Sequence, residues 1–300
     1  MRDEGRAAPY GDAMKVIFGA TGKVGGAVVA ELRRRGLGVK AVLRDVSSGE
    51  HLARLGCALA SADLQDPRAV ERAMKGADGV LVLCPVLATA GDLLADAQRT
   101  IDALGSAVDA ARPGHVVALS DYGAHRAAGT GLTMIFHRLE ARLSAAPVPT
   151  TFLRSAEHME NWSRQVPVAR ARGVLASLHQ PLTRLFPMVA AADVGLLAAE
   201  LLAGPAPPPG SPRVTHVEGP RRYAVTEIAD VLARLVARPV GARELPRERW
   251  VSALVSGGLG ESYAQLVAEL QDAQAAGVID VEPGHGEPRR GRTELADALT

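Results

Sequence analysis

Cysteine is nearly missing from this chain of 300 residues: Cys57 and Cys84 are the only two. Each sits in an apolar run of strand character. Two reduced, buried thiols are therefore expected, not a disulfide-stapled secreted fold. Aromatic residues make up 3%, so the core must be built from Ala, Val and Leu. Lysine is confined to Lys15, Lys23, Lys40 and Lys75, and arginine carries the positive charge. Neither sign of charge is in excess: 34 Lys+Arg stand against 33 Asp+Glu, a net +1. That balance gives no ground for nucleic-acid binding or for a solvating acidic tail. No apolar run approaches the roughly 18 residues of a membrane-spanning helix. The charged start, Met1-Arg2-Asp3-Glu4-Gly5-Arg6, has no apolar stretch behind it and does not read as a signal peptide. A cytoplasmic protein without membrane or nucleic-acid partners is expected. His115, His125 and His137 lie on different elements without ligand spacing, so no metal site is expected. No Gly-x-Ser-x-Gly elbow supports hydrolase chemistry.

Hydrophobic residues reach 47%, enough for a sizeable core. In the first half, strand and helix signals alternate. Lys15-Val16-Ile17-Phe18 has strand length. Val24, Val28 and Leu32 then share one helix face, and Arg33-Arg34-Arg35-Gly36 closes that helix with cations and a glycine. Further strands are expected at 39–44, 58–62, 79–84, 116–119 and 151–153, with helices near 67–75, 92–111 and 132–143. This alternation specifies an α/β fold with a doubly wound parallel sheet. After Arg154 the pattern loosens, and a smaller, mostly helical C-terminal lobe over the sheet's carboxyl edge is expected. The expected boundaries are a disordered leader at 1–13, a dinucleotide-binding Rossmann domain at 14–155, a substrate-binding lobe at 156–282 and a flexible tail at 283–300.

Gly19-Ala20-Thr21-Gly22-Lys23-Val24-Gly25 follows the first strand and opens the first helix. A strand–glycine turn–helix of this kind lets a pyrophosphate approach the backbone and meet helix N-terminal N–H groups. The spacing, Gly-x-x-Gly-x-x-Gly, departs from the commoner Gly-x-Gly-x-x-Gly. The second strand ends at Arg44, where an acid would favour the ribose hydroxyls of NAD(H). A guanidinium there suits the 2′-phosphate of NADP(H); the alternative is a solvated arginine paired with Asp45. Asp63 and Leu64 end the third strand near the adenine position, or Asp63 merely caps a turn. Cys84 and Pro85 end the fourth, with Cys84 more a packing residue than a nucleophile. Ser120 and Arg154, at the ends of the fifth and sixth strands, complete the expected cofactor-binding residues.

These motifs, with Leu43-Arg44-Asp45, Ala62-Asp63-Leu64, Leu119-Ser120, Glu140, Leu153-Arg154, Met159-Glu160-Asn161, Ala192-Asp193-Val194 and Glu218-Gly219-Pro220, resemble the NmrA-like group of atypical short-chain dehydrogenases/reductases over about 14–282. The resemblance implies a Rossmann fold binding NADP(H), with either reductase activity or a redox-sensing role without turnover. Ser155 and His158 depart from the group's usual Pro and Phe. Reductases of the wider superfamily use a Tyr-x-x-x-Lys pair, but no lysine follows Lys75 here, so that dyad is missing.

The proton source is therefore sought elsewhere. His137 falls one residue after the slot of the dyad lysine, at Phe136, and imidazole titrates near neutrality. Tyr122 lies just past the fifth strand. Either is a candidate catalytic residue; the bland reading of His137 is a polar residue at a helix edge. Tyr122, Glu157, His158, Asn161 and Trp162 are candidates for substrate contact, Trp162 equally for core packing. The leading expectation is an NADPH-dependent reductase of a small cyclic carbonyl, quinone or imine, acting as monomer or homodimer. The alternative is an NADP(H)-binding sensor.

Overall fold

The computed structural model describes residues 14–300; the expected leader, 1–13, lies outside the described residues. The strands are β1 (Met14–Phe18), β2 (Gly38–Leu43), β3 (Ala58–Ser61), β4 (Gly79–Val82), β5 (Val116–Asp121), β6 (Thr150–Ser155), β7 (Glu157–His158), β8 (Val174–Ser177), β9 (Met188–Val189), β10 (Arg213–Glu218), β11 (Gly241–Glu244) and β12 (Glu287–Arg290). The helices are α1 (Lys23–Arg34), α2 (Glu50–Arg54), α3 (Pro67–Met74), α4 (Leu93–Ala111), α5 (Met134–Ser144), α6 (Val166–Arg172), α7 (Ala191–Ala203), α8 (Val225–Val236), α9 (Trp250–Ser256), α10 (Glu261–Ala275) and α11 (Leu295–Leu299). Eight strands form one sheet in the order β3-β2-β1-β4-β5-β6-β10-β12, every neighbouring pair parallel.

The sheet is apolar on both faces, as a parallel sheet covered by helices must be. Val16 and Phe18 join the core on the side of α3, α4 and α5, while Ile17 between them packs on the side of α1 and α7. β4 repeats the alternation with Val80 and Val82 against Leu81. The helix ends follow their local chemistry. Asp66 caps α3 by accepting the Arg68 and Ala69 N–H groups, with Pro67 at the first position. Arg34 and Arg35 both reach the Glu31 carboxylate at 2.7 Å, so the arginine run closes the helix as a salt-bridged end.

The second half departs from the expected separate lobe in two ways. It contributes β10 and β12 to the central sheet, and residues 283–300, expected to be a flexible tail, are ordered into β12 and α11. The physical reason is partner groups waiting far back in the chain. Asp193 on α7 accepts the Arg292 and Thr293 N–H groups at 2.8 Å and the Thr293 hydroxyl at 3.0 Å. Glu218 on β10 pairs with Arg290 at 2.9 Å. Leu295 and Leu299 join a third apolar cluster with Met159, Trp162, Phe186, Tyr223 and Ile228. Glycine, proline and charge made 283–290 look like linker; the compensating groups could not be seen locally.

Helices α1 and α7 pack closely. At Gly195 an added Cβ would stand 2.5 Å from the Ala27 Cβ and 2.6 Å from the Val24 carbonyl oxygen. The N-terminus of α7 is met by the Glu160 carboxylate, which accepts the Ala191 N–H at 3.0 Å. The Met159-Glu160-Asn161 segment thus divides its work between core, helix end and cavity. Met159 is buried, Glu160 caps α7, and Asn161 remains for the cavity described next.

Candidate functional site

Two cavities open at the carboxyl ends of the strands. The strand order reverses between β1 and β4, which is where open α/β sheets seat ligands. The first is a groove of about 500 Å³ over β1 to β4, bordered by Gly19, Thr21, Gly22, Arg44, Asp63, Leu64 and Pro85 among others. Gly19 turns the chain out of β1 with φ +67°, and Gly22 donates its N–H to the Gly19 carbonyl at 2.9 Å. Gly22 is also the N-cap of α1, carries no capping side chain, and no acid stands in the first turn. The positive end of the helix is thus left for an external anion. Gly25 serves differently: an added Cβ would fall 2.2 Å from the Gly19 carbonyl oxygen, so it lets helix and loop touch. Val24 is buried, and Lys23 opens the helix but does not border the groove.

At the far end Asp45 is engaged by the Ser47 N–H and hydroxyl, at 2.9 and 2.7 Å. It therefore does not neutralise Arg44, whose guanidinium makes no ion pair among the described residues. Asp63 accepts the Gln65 N–H at 2.9 Å in a turn and still faces the groove. The residues fit a dinucleotide: a turn with no Cβ at Gly19 and Gly22 beside an uncapped helix end, with a cation unpaired among the described residues beyond. Cys84 does not border the groove. Its thiol packs against the Ala97 carbonyl, and burial pushes it up to about 12, so it is an inert packing group.

The second cavity, about 280 Å³, lies beyond the ends of β5 and β6. Their register sets Ser120 beside Arg154 and Asp121 beside Ser155. Ser120 borders the cavity and donates its hydroxyl to Glu140 at 2.5 Å. Arg154 borders neither cavity. It is buried with Glu140 in a two-pronged pair at 2.8 and 2.6 Å, and it reaches Glu282 at 2.6 Å. The network fixes the strand ends under the cavity.

Tyr122, Glu157, His158 and Asn161 all border this cavity. Tyr122 is 2% exposed, its ring edge-on to His216, and burial raises its phenol well above the ordinary range. Burial lowers the His158 imidazole. Trp162 lies outside, packed beside His179 and Phe186. His137 also lies outside the lining, its Nδ1 2.9 Å from the Ala124 carbonyl oxygen; the neighbouring Phe136 is the one that lines the cavity.

Sequence reasoning missed Asp121 and one wall of the cavity. Asp121 borders it and accepts the Thr133 hydroxyl at 2.6 Å. Burial, with Glu157 and Glu140 adding repulsion, outweighs that hydrogen bond and lifts the carboxyl from 3.8 to about 7. The signal was present: a lone acid ends an apolar strand, next to Ser120. The wall formed by Tyr263, Val267, Leu270, Gln271 and Gln274 comes from α10. Its distance in sequence left no signal of which cavity it closes. Among the described residues no cluster of His, Cys, Asp or Glu is placed to hold a metal, and no helix is long and apolar enough to cross a membrane.

Fold and site together define a dinucleotide-binding α/β protein with a second cavity along the same sheet edge. Residues 13–288 match the NmrA-like family, and the chain belongs to it. It is 27% identical over 291 residues to the NAD(P)H azoreductase of Xenophilus azovorans, covering 95% of this chain and 97% of that protein. It superimposes on the triphenylmethane reductase of Citrobacter sp. with a TM-score of 0.77 at 18% identity, covering 95% of this chain and 98% of the other. The NADPH-dependent quinone oxidoreductase QOR2 of Escherichia coli gives 0.75 at 23% identity, again over 95% and 98%.

Proposed function

We propose that the protein is an NADPH-dependent reductase of a small conjugated cyclic acceptor: a quinone, carbonyl or imine. The observation that carries the reading is the pair of cavities on one sheet edge, one shaped by a glycine cradle and the other, beyond β5 and β6, with apolar walls and a few polar groups. Reductase names among the relatives support it: an azoreductase, a quinone oxidoreductase and a triphenylmethane reductase. Gly19, Thr21 and Gly22 hold the diphosphate, with N–H groups of Lys23, Val24 and Gly25 at the helix end. Arg44 faces the 2′-phosphate, and Asp63, Leu64 and Pro85 border the adenosine. NADPH supplies a hydride when bound. Ser120, held by Glu140, and Tyr122 floor the acceptor cavity, with Glu157, His158 and Asn161 as its polar wall.

The Tyr-x-x-x-Lys pair is missing from the sequence, and this favours a second reading, an NADP(H)-binding sensor without turnover. The test is NADPH oxidation with a panel of quinones, ketones and imines. Turnover that Ser120→Ala, Tyr122→Phe or His137→Ala reduces supports the reductase and ranks the candidates. No oxidation with any acceptor, despite tight NADPH binding, replaces it with the sensor.

A further inference from the structure

The acceptor cavity has an unbalanced charge. Of its charged lining residues, Asp121 and Glu157 are both acids, and no lysine or arginine borders it. Arg154, the cation nearest in the strand register, is already engaged by Glu140 and Glu282. His179 stands 3.1 Å from the Glu157 carboxylate, outside hydrogen-bond geometry, and His158 is disfavoured as a cation by burial. The unsatisfied polar atoms point the same way. Glu157 Oε2, Gln271 Oε1 and Gln274 Oε1 are buried without hydrogen-bond partners, and all three belong to lining residues. Each is an acceptor. Leu132, Phe136, Leu270 and Ile279 supply apolar walls. Carboxylates enclosed in a cavity with no permanently charged partner are costly, His179 pairing with Glu157 only when its imidazole is protonated, and a ligand carrying a fixed positive charge relieves the cost.

We propose that this cavity takes a flat organic cation, an iminium-type or delocalised carbocationic hydride acceptor. This rests on the reductase reading above. The chemistry balances without a proton donor. The acceptor's electrophilic carbon gains the hydrogen with its electron pair in a new C–H bond. The acceptor's positive charge is quenched, the nicotinamide C4–H bond is the one broken, and NADP⁺ carries the charge away. A neutral quinone or ketone needs a proton as well as the hydride. A chain without the Tyr-x-x-x-Lys pair is thus suited to an acceptor that needs none.

The test compares the cation N-methylacridinium with its uncharged parent, acridine, at mildly alkaline pH. Binding to the protein is followed by the probes' own fluorescence. Turnover is followed by NADPH oxidation, with a neutral naphthoquinone alongside. The wild type is expected to bind the cation at least roughly tenfold tighter than acridine. The Asp121→Asn/Glu157→Gln double variant is expected to bring that ratio close to one, with thermal unfolding confirming that it folds. Equal binding by the wild type, or a ratio the double variant leaves unchanged, overturns the proposal. Reduction of the naphthoquinone without preference for the cation overturns it while the reductase reading stands. Cation binding with no reduction of any acceptor removes both the acceptor role and the reductase reading.

Discussion

Gly22 and Gly25 lie three residues apart in one loop, and the structure separates their roles. At Gly22 the backbone sits at φ −79° and ψ 169°, open to any residue including valine. An added Cβ meets only the Gly19 carbonyl oxygen, at 3.3 Å. Gly22→Val therefore costs the fold about 1 kcal/mol, mostly for a poorer N-cap. Its methyls stand where the diphosphate must lie, so NADPH affinity is expected to fall by at least roughly a hundredfold, about 2.7 kcal/mol. At Gly25 the same Cβ meets Gly19 oxygen at 2.2 Å, Gly19 carbon at 2.7 Å and Ala20 Cα at 3.0 Å. All three are backbone atoms, so loop and helix must part. Gly25→Val is expected to destabilise by about 3 kcal/mol or more. Thermal unfolding and NADPH fluorescence titration on both variants separate the effects. Undiminished NADPH affinity in a folded Gly22→Val variant refutes the cradle assignment. A Gly25→Val variant as stable as the wild type refutes the packing argument.

Arg44→Ala is expected to erase most of a ten- to hundredfold preference for NADP(H) over NAD(H), about 1.5–3 kcal/mol, in paired titrations; equal wild-type affinities remove that role from Arg44. Asp121 ionises near 3.8 in the unfolded chain and only near 7 in the folded one, so folding is penalised increasingly as pH rises between those values. The stability advantage of Asp121→Asn is accordingly expected to grow from about pH 4 to 7 by a few kcal/mol and then level off; a pH-independent difference in urea midpoints contradicts it. Arg154→Met leaves the buried Glu140 without its partner and is expected to cost about 3–5 kcal/mol, against about 1 kcal/mol or less for Glu282→Gln at the more exposed end; equal losses refute the ranking.

The cofactor half was legible because its determinants are local. A strand, a glycine turn and an amphipathic helix sit within one stretch of chain, and Val24, Val28 and Leu32 declare their face by spacing alone. The acceptor cavity was half legible: Tyr122, Glu157, His158 and Asn161 sit just after strands whose ends are predictable. What escaped depends on distant partners. His137 matched a sequence slot, but helix rotation puts Phe136 in the lining and turns His137 to the Ala124 carbonyl. Arg154 was expected at the cofactor, whereas Glu140 and Glu282 hold it below. The segment 283–300 carries loop composition, yet Asp193 and Glu218 order it.

The bare backbone at Gly195 bears on how this protein is inherited as parts. Helix α1 opens from the proposed cofactor cradle and packs on α7, a helix of the other half, through a contact with no room for one methyl group. A chimera joining this chain's cofactor half to a relative's substrate half must therefore carry the residues facing Ala27 and Val24 as a matched set. Exchange at the apparent boundary near residue 155 would set a foreign α7 against an unchanged α1 and mismatch that contact, together with the pairing of β6 with β10. Selection acting on the substrate lobe is thereby tied to the geometry of the nucleotide cradle.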